Sequence, residues 1–114
     1  MTSRASVTSD PPHPLFRGLA RAQVRDLHFE RGLTSRDDVI ELTLGQGREV
    51  RTFRFTRVTD LRLGGGFPEV GWLRVHDVSG RRLDGIGVRV SDGEQSEAIA
   101  FWAAGVEELT RPAA

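Results

Sequence analysis

From residue 22 onward, apolar and polar residues alternate with a period of two, the repeat of a strand with one face buried and one face wet. Residues 22–31 read as a first strand, with Ala22 and Val24 in one phase and Leu27 and Phe29 in the other. Such a change of phase takes one extra residue, so a bulge or bend is expected between Val24 and Leu27. Residues 38–44 read as a second strand with Ile40, Leu42 and Leu44 on one face, and Gly45-Gln46-Gly47-Arg48 supplies a compact hairpin turn. A third strand at 49–58 turns Phe53 and Phe55 inward and Thr52, Arg54 and Thr56 outward, and a short fourth at 60–63 turns Leu61 and Leu63 inward. Past the glycine-rich loop 64–68, a fifth strand spans 70–78 and a sixth 83–91, with Ile86, Val88 and Val90 on one face. Ser79-Gly80-Arg81-Arg82 and Asp92-Gly93 form the intervening turns, where glycine tolerates positive φ.

The last segment, 94–109, carries two patterns at once. Ile99, Phe101 and Ala103 alternate as in a strand, while Ile99, Trp102, Ala103, Val106 and Leu109 fit a helical stripe. Its alanine content tips the pattern slightly toward helix. The whole predicts a mainly β domain of six to seven antiparallel strands, in a sandwich or partly open barrel, with 94–109 strand or helix. The expected inner face is Phe29, Ile40, Leu42, Leu44, Phe53, Phe55, Leu61, Leu63, Val75, Ile86, Val88, Val90, Ile99 and Phe101. Residues 15–110 form one domain, flanked by a Ser/Thr/Pro-rich tail at 1–14, expected disordered or extended with His13 solvated, and a short tail at 111–114.

Composition narrows the chemistry. The 114 residues include no cysteine, which removes disulfides, thiolate metal sites and cysteine nucleophiles and fits a reducing, cytoplasmic compartment. The first ten residues hold no signal-peptide core and no stretch approaches 18 apolar residues, so neither a leader nor a membrane span is expected. Sixteen basic residues, all arginine, balance 16 acidic ones. The blanket absence of lysine reads as the codon bias of a GC-rich genome rather than as selection for the guanidinium fork at a site. Net neutrality argues against nucleic-acid binding.

Gly64-Gly65-Gly66 is followed by Phe67-Pro68 and a strand, so it lacks the helix that a phosphate-binding loop requires. There is no G-x-S-x-G elbow, and Ser79 sits in a turn. No catalytic residue and no cofactor is expected. Asp26, His28 and Glu30, two apart, share one face of the first strand. With His76 of the fifth strand they could bind a divalent metal or do acid–base work; otherwise they are a solvated face. The outward phase elsewhere holds Arg54, Arg62 and Arg89, and on the fifth strand Trp72, Arg74 and His76. Arginine and tryptophan are enriched at binding hot spots, so these six define a candidate face for a protein partner or small ligand. The plainer reading pairs the arginines with Glu41, Asp60 and Glu49 across strands and places Trp102 in the core. Exposed edge strands predict pairing into a homodimer.

The run Phe53-x-Phe55-x-x-Val58-x-x-Leu61-x-Leu63, a glycine-rich gap, Leu73-x-Val75-x-Asp77-Val78-Ser79, Leu83-Asp84-Gly85-Ile86-x-Val88-x-Val90 and Phe101-Trp102-Ala103 covers roughly residues 20–109. This succession resembles small bacterial all-β proteins of uncharacterised families, including immunity proteins of polymorphic-toxin systems. The resemblance implies a non-enzymatic binder that neutralises a toxin domain, and it implies a strand for the final segment. It carries over no catalytic positions.

Overall fold

The alternation becomes eight strands in a computed structural model that describes residues 11–19, 22–34, 37–64, 67, 73–81, 85–92 and 98–109. They are β1 (Gln23–Glu30), β2 (Val39–Gln46), β3 (Glu49–Thr56), β4 (Thr59–Leu63), β5 (Arg74–Asp77), β6 (Val88–Ser91), β7 (Ile99–Ala103) and β8 (Gly105–Leu109). They pair antiparallel into two open four-stranded sheets, a first of order β1-β2-β3-β8 and a second of order β4-β7-β6-β5. Two short 3-10 turns, Pro14–Phe16 and Ser79–Arg81, are the helical pieces among the described residues. The expected sandwich is present, with eight strands instead of six or seven and with both sheets open at their edges. Trp72, Gly65, Gly66, Arg82, Gly93 and the outer parts of both tails lie outside the described residues.

The additional strand comes from the C-terminal segment, where the strand pattern wins over the helical one. Ile99, Phe101 and Ala103 are each almost wholly buried against the first sheet, which a helix could not achieve for residues two apart. Gly105 then opens β8, which pairs with β3. The chain changes sheets at two adjacent places. β3 leaves the first sheet through Arg57, at φ 54°, and buried Val58, and β7 leaves the second through Ala104, whose N–H donates to the Thr56 carbonyl at 2.8 Å. The two crossings thus brace one another.

Inward residues of both sheets merge into one core: Ile40, Leu42, Leu44, Phe53 and Phe55 from the first, Val75, Val88, Val90, Ile99 and Phe101 from the second. Phe55 meets Phe101 edge-to-face at 5.0 Å between centroids, and Phe16 lies against Phe53 at 4.2 Å. Each fully buried Phe contributes about 1.5–3 kcal/mol by leaving water. The expected bulge in β1 is there, as a register shift between Val24 and Asp26. The hairpin between β2 and β3 turns on Gly47, at φ 63°, the first central position where such turns favour glycine.

Two expected core residues face water: Phe29 is 41% exposed and Leu63 47%. Both have the inward phase, opposite buried Ile40 and Ile99, but β1 and β4 are edge strands and the opposing sheet does not cover their ends. Leu61 and Ile86 are half-buried. Ile86 precedes β6, which is shorter than expected, as is β5. The proline-rich segment runs beside β5 over residues 11–13 before the 3-10 turn that starts at Pro14. The Asp77 N–H donates to the Pro11 carbonyl and the His13 N–H to the Val75 carbonyl, both at 2.8 Å, and His13 is half-buried rather than solvated. Asp92 is wholly buried and accepts from the Ala98 N–H at 2.9 Å. Its own N–H donates to the Ile99 carbonyl at 3.2 Å, so the pair pins both ends of the β6–β7 connection.

Candidate functional site

Strand register decides which outward residues share a surface, because directly paired residues point to the same side of a sheet. Across the second sheet His76 lies opposite Arg89, Arg89 opposite Trp102, and Trp102 opposite Thr59. The parallel row, two residues along, is Arg74, Ser91, Ala100 and Arg62. Both rows face away from Val75, Val90 and Phe101, so they form the outer face of that sheet. Its centre is the half-buried pair Arg89 and Trp102, with the guanidinium carbon 4.4 Å from the indole centroid. Arg62 and Arg74 flank this pair and are exposed. Among the described residues, the carboxylate beside them is Asp60, 3.3 Å from the Arg62 Nε, in a pair so exposed that it adds little. Asp60 itself is the extra residue of a bulge between Thr59 and Arg62, where its φ of 55° suits a bulge position.

Four of the six residues expected on the binding face therefore assemble: Arg62, Arg74, His76 and Arg89. Trp72 lies outside the described residues. Arg54 belongs elsewhere. It sits on the outer face of the first sheet, in the row His28, Glu41, Arg54, Glu107, with its Nη1 3.6 Å from the Glu41 carboxylate. The plainer reading of cross-strand pairing is thus correct for Arg54. It is also the reading Arg51 follows, in a two-bonded pair with Glu108 at 2.8 Å each.

The aromatic member of the face is Trp102, which the sequence reading put in the core. The signal that identifies it was available, since in a strand that buries Phe101 the next residue points out. The helical stripe running through the same residues masked it.

The His/carboxylate cluster does not converge. Asp26, His28 and Glu30 are exposed on the edge strand β1 of the first sheet, whereas His76 lies on β5 of the second. Among the described residues, no group of three or more His, Asp or Glu side chains is placed to hold a metal ion. The topology puts β1 and β5 in different sheets, so the four residues do not share one sheet face. Ser79 gains no catalytic partner from its surroundings: its hydroxyl donates to Asp77 at 2.6 Å and its N–H does so at 2.9 Å. These two bonds, the hydroxyl one first, hold the Asp77 carboxyl below the usual range and close a polar turn.

No helix among the described residues is long and apolar enough to cross a membrane. No protein-family model, curated protein or solved structure matches this chain.

Proposed function

We propose that this chain is a non-enzymatic binding module that receives an acidic protein partner on the outer face of the second sheet. This is the role the likeness to immunity proteins implies. The observation that carries it is the Arg89–Trp102 stack at the centre of a face that also presents Arg62, Arg74 and His76. Stacking holds the guanidinium flat, so less side-chain entropy is lost when a carboxylate docks on its edge. A half-buried aromatic and arginine core with exposed arginines around it has the composition of an interface hot spot.

The test is capture from native lysate by the wild-type chain, by Arg62→Glu/Arg74→Glu, and by Arg54→Gln as the control on the opposite face. Both reversed residues are exposed, so the double variant should melt within a few degrees of wild type. It should lose its partner by at least about tenfold through charge repulsion. Equal capture by all three, or loss with Arg54→Gln alone, would remove the face from consideration. Self-association belongs to the same proposal through edge strand β1, where Phe29 is exposed. Sedimentation showing only monomer at tens of micromolar would exclude it.

A further inference from the structure

A pocket of about 290 Å³ opens where the N-terminal segment parts from β5. Residues 11–13 run along that edge as far as the bond from the His13 N–H to the Val75 carbonyl. There the chain turns. The His13 carbonyl accepts from the Phe16 N–H at 3.0 Å, and the His13 Nδ1 accepts from the Leu15 N–H at 3.2 Å. The strand-like pairing stops one bond short, and the Val75 N–H remains at the fork without a backbone partner from that segment. Phe16 and Leu19 form one wall, Leu73 and Val75 the other, and Arg17, Arg74 and His76 stand at the rim.

These walls select a ligand by two opposed criteria. The lining is largely apolar, so a bare hydrated anion would give up its water for little in return. The rim carries Arg17 and Arg74, both exposed and neither paired with an acid among the described residues, so a cation or a plain hydrocarbon is the wrong complement. The volume lies at the lower end of the range for small-molecule sites, room for one ring or one branched chain. An extended peptide is excluded from the edge of β5 over Val75–Asp77, because residues 11–13 already occupy it. We propose that the pocket binds a free monocarboxylate bearing one compact apolar group, such as an arylalkanoate or a branched-chain acid. The apolar group lies among Phe16, Leu19 and Leu73, with the carboxylate toward Arg17, Arg74 and the Val75 N–H. This site stands on its own walls and does not depend on a protein partner for the neighbouring face.

The experiment is a titration of the ¹⁵N-labelled chain at low salt with 3-phenylpropanoate, its primary amide and acetyl-Gly-Gly-Phe as the free acid. The expected result is saturable shifts of the Phe16, Leu19, Leu73 and Val75 amides, with the primary amide at least about tenfold weaker, since it lacks the charge. Arg17→Gln/Arg74→Gln should weaken the acid at least about fivefold without moving the melting temperature. Arg62→Glu, on the outer face but not in the pocket wall, should leave acid binding unchanged even where it abolishes partner capture, which separates the two proposals. Absence of saturation, equal binding of acid and amide, or shifts confined to other strands would overturn the site. Tighter binding of the tripeptide than of 3-phenylpropanoate would overturn the free acid in favour of a chain terminus.

Discussion

The stack of Arg89 on Trp102 should be measurable as a coupling energy in the free protein. The perturbation is a double-mutant cycle of Arg89→Gln, Trp102→Leu and both together. Gln keeps part of the aliphatic stem and removes the charge, and Leu keeps an apolar side chain and removes the π face. At 4.4 Å to the ring centroid the guanidinium is well within the roughly 6 Å reach of the interaction. Fully exposed pairs of this kind are worth about 0.5–1 kcal/mol and desolvated ones about 2. Both residues are half-buried, so the expected coupling is about 1 kcal/mol. For a chain of this length that corresponds to a shift of about 4 °C in melting temperature.

The assay is urea unfolding followed by far-UV circular dichroism, because Trp102→Leu removes one of the two tryptophans and so changes the fluorescence signal itself. Trp102→Leu alone also loses ring packing, so its single-variant loss should exceed that of Arg89→Gln. The cycle subtracts this packing loss and leaves the pair term. Arg89→Lys should recover part of the coupling, since an ammonium is attracted by the ring but lacks the planar contact. A coupling below about 0.3 kcal/mol, within the additivity of independent sites, would refute the reasoning. Arg89 would then be a solvated arginine that happens to overlie a ring, and the face would lose its preorganised centre.

Three further outcomes follow from the packing. The Glu108 carboxyl is held below its usual range, chiefly by the hydrogen bond from Arg51. A depressed folded-state pKa means that the pair stabilises the fold above the unfolded value near 4.5 and that this is lost as pH falls through the folded value. With both side chains partly exposed, Glu108→Gln should cost about 0.5–1 kcal/mol at pH 7 and nothing at the acid end, read from urea unfolding across pH; a constant difference would contradict the linkage. Gly87→Ala would set a Cβ 2.7 Å from the Ala104 carbonyl oxygen, a backbone atom of the sheet crossing, whereas a Cβ at Gly80 meets open space. Thermal melts should show Gly87→Ala destabilised by about 1–3 kcal/mol and Gly80→Ala nearly unchanged, and equal effects would refute the steric argument. Asp92→Ala should cost about 1–3 kcal/mol by leaving the buried Ala98 N–H unsatisfied, and Asp92→Asn less, because an acceptor oxygen remains; calorimetry ranking them in the reverse order would sink this account.

Periodicity exposed what depends on one strand and concealed what depends on two. The inward phases of β2, β3 and β6 were legible because each is an unbroken alternation over a fully covered face. Phe29 and Leu63 misled because phase says which side a residue faces, not whether the opposing sheet reaches that far. The outward phase of Arg62, Arg74, His76 and Arg89 was equally legible. That Arg54 lies on the other sheet was not, since it follows from β4 leaving β3 to join β7, a choice made by long-range packing. His28 and His76 were separated by the same choice. The last segment was ambiguous because small apolar residues satisfy a period of two and one of 3.6 together. The burial of Ile99, Phe101 and Ala103 decided it, and with it the outward direction of Trp102.

The neutrality of the chain takes a different meaning once residues are assigned to sheets. Among the described residues, the outer face of the first sheet presents Asp26, Glu30, Glu41 and Glu107 against Arg25 and Arg54, whereas that of the second presents Arg62, Arg74 and Arg89 against Asp60. Packed sheets lie about 10 Å apart, close to the Debye length of about 8 Å at physiological ionic strength. A partner docked on the second sheet is therefore largely screened from the carboxylates behind it. A long polyanion would meet both faces, so zero net charge weighs against nucleic acid yet leaves a compact acidic protein patch a favourable surface. The same geometry limits what dilution of salt can achieve. As the screening length grows past the thickness of the sandwich, the carboxylates of the far face begin to be felt. The gain in affinity at low ionic strength should thus fall short of what three arginines in isolation would give.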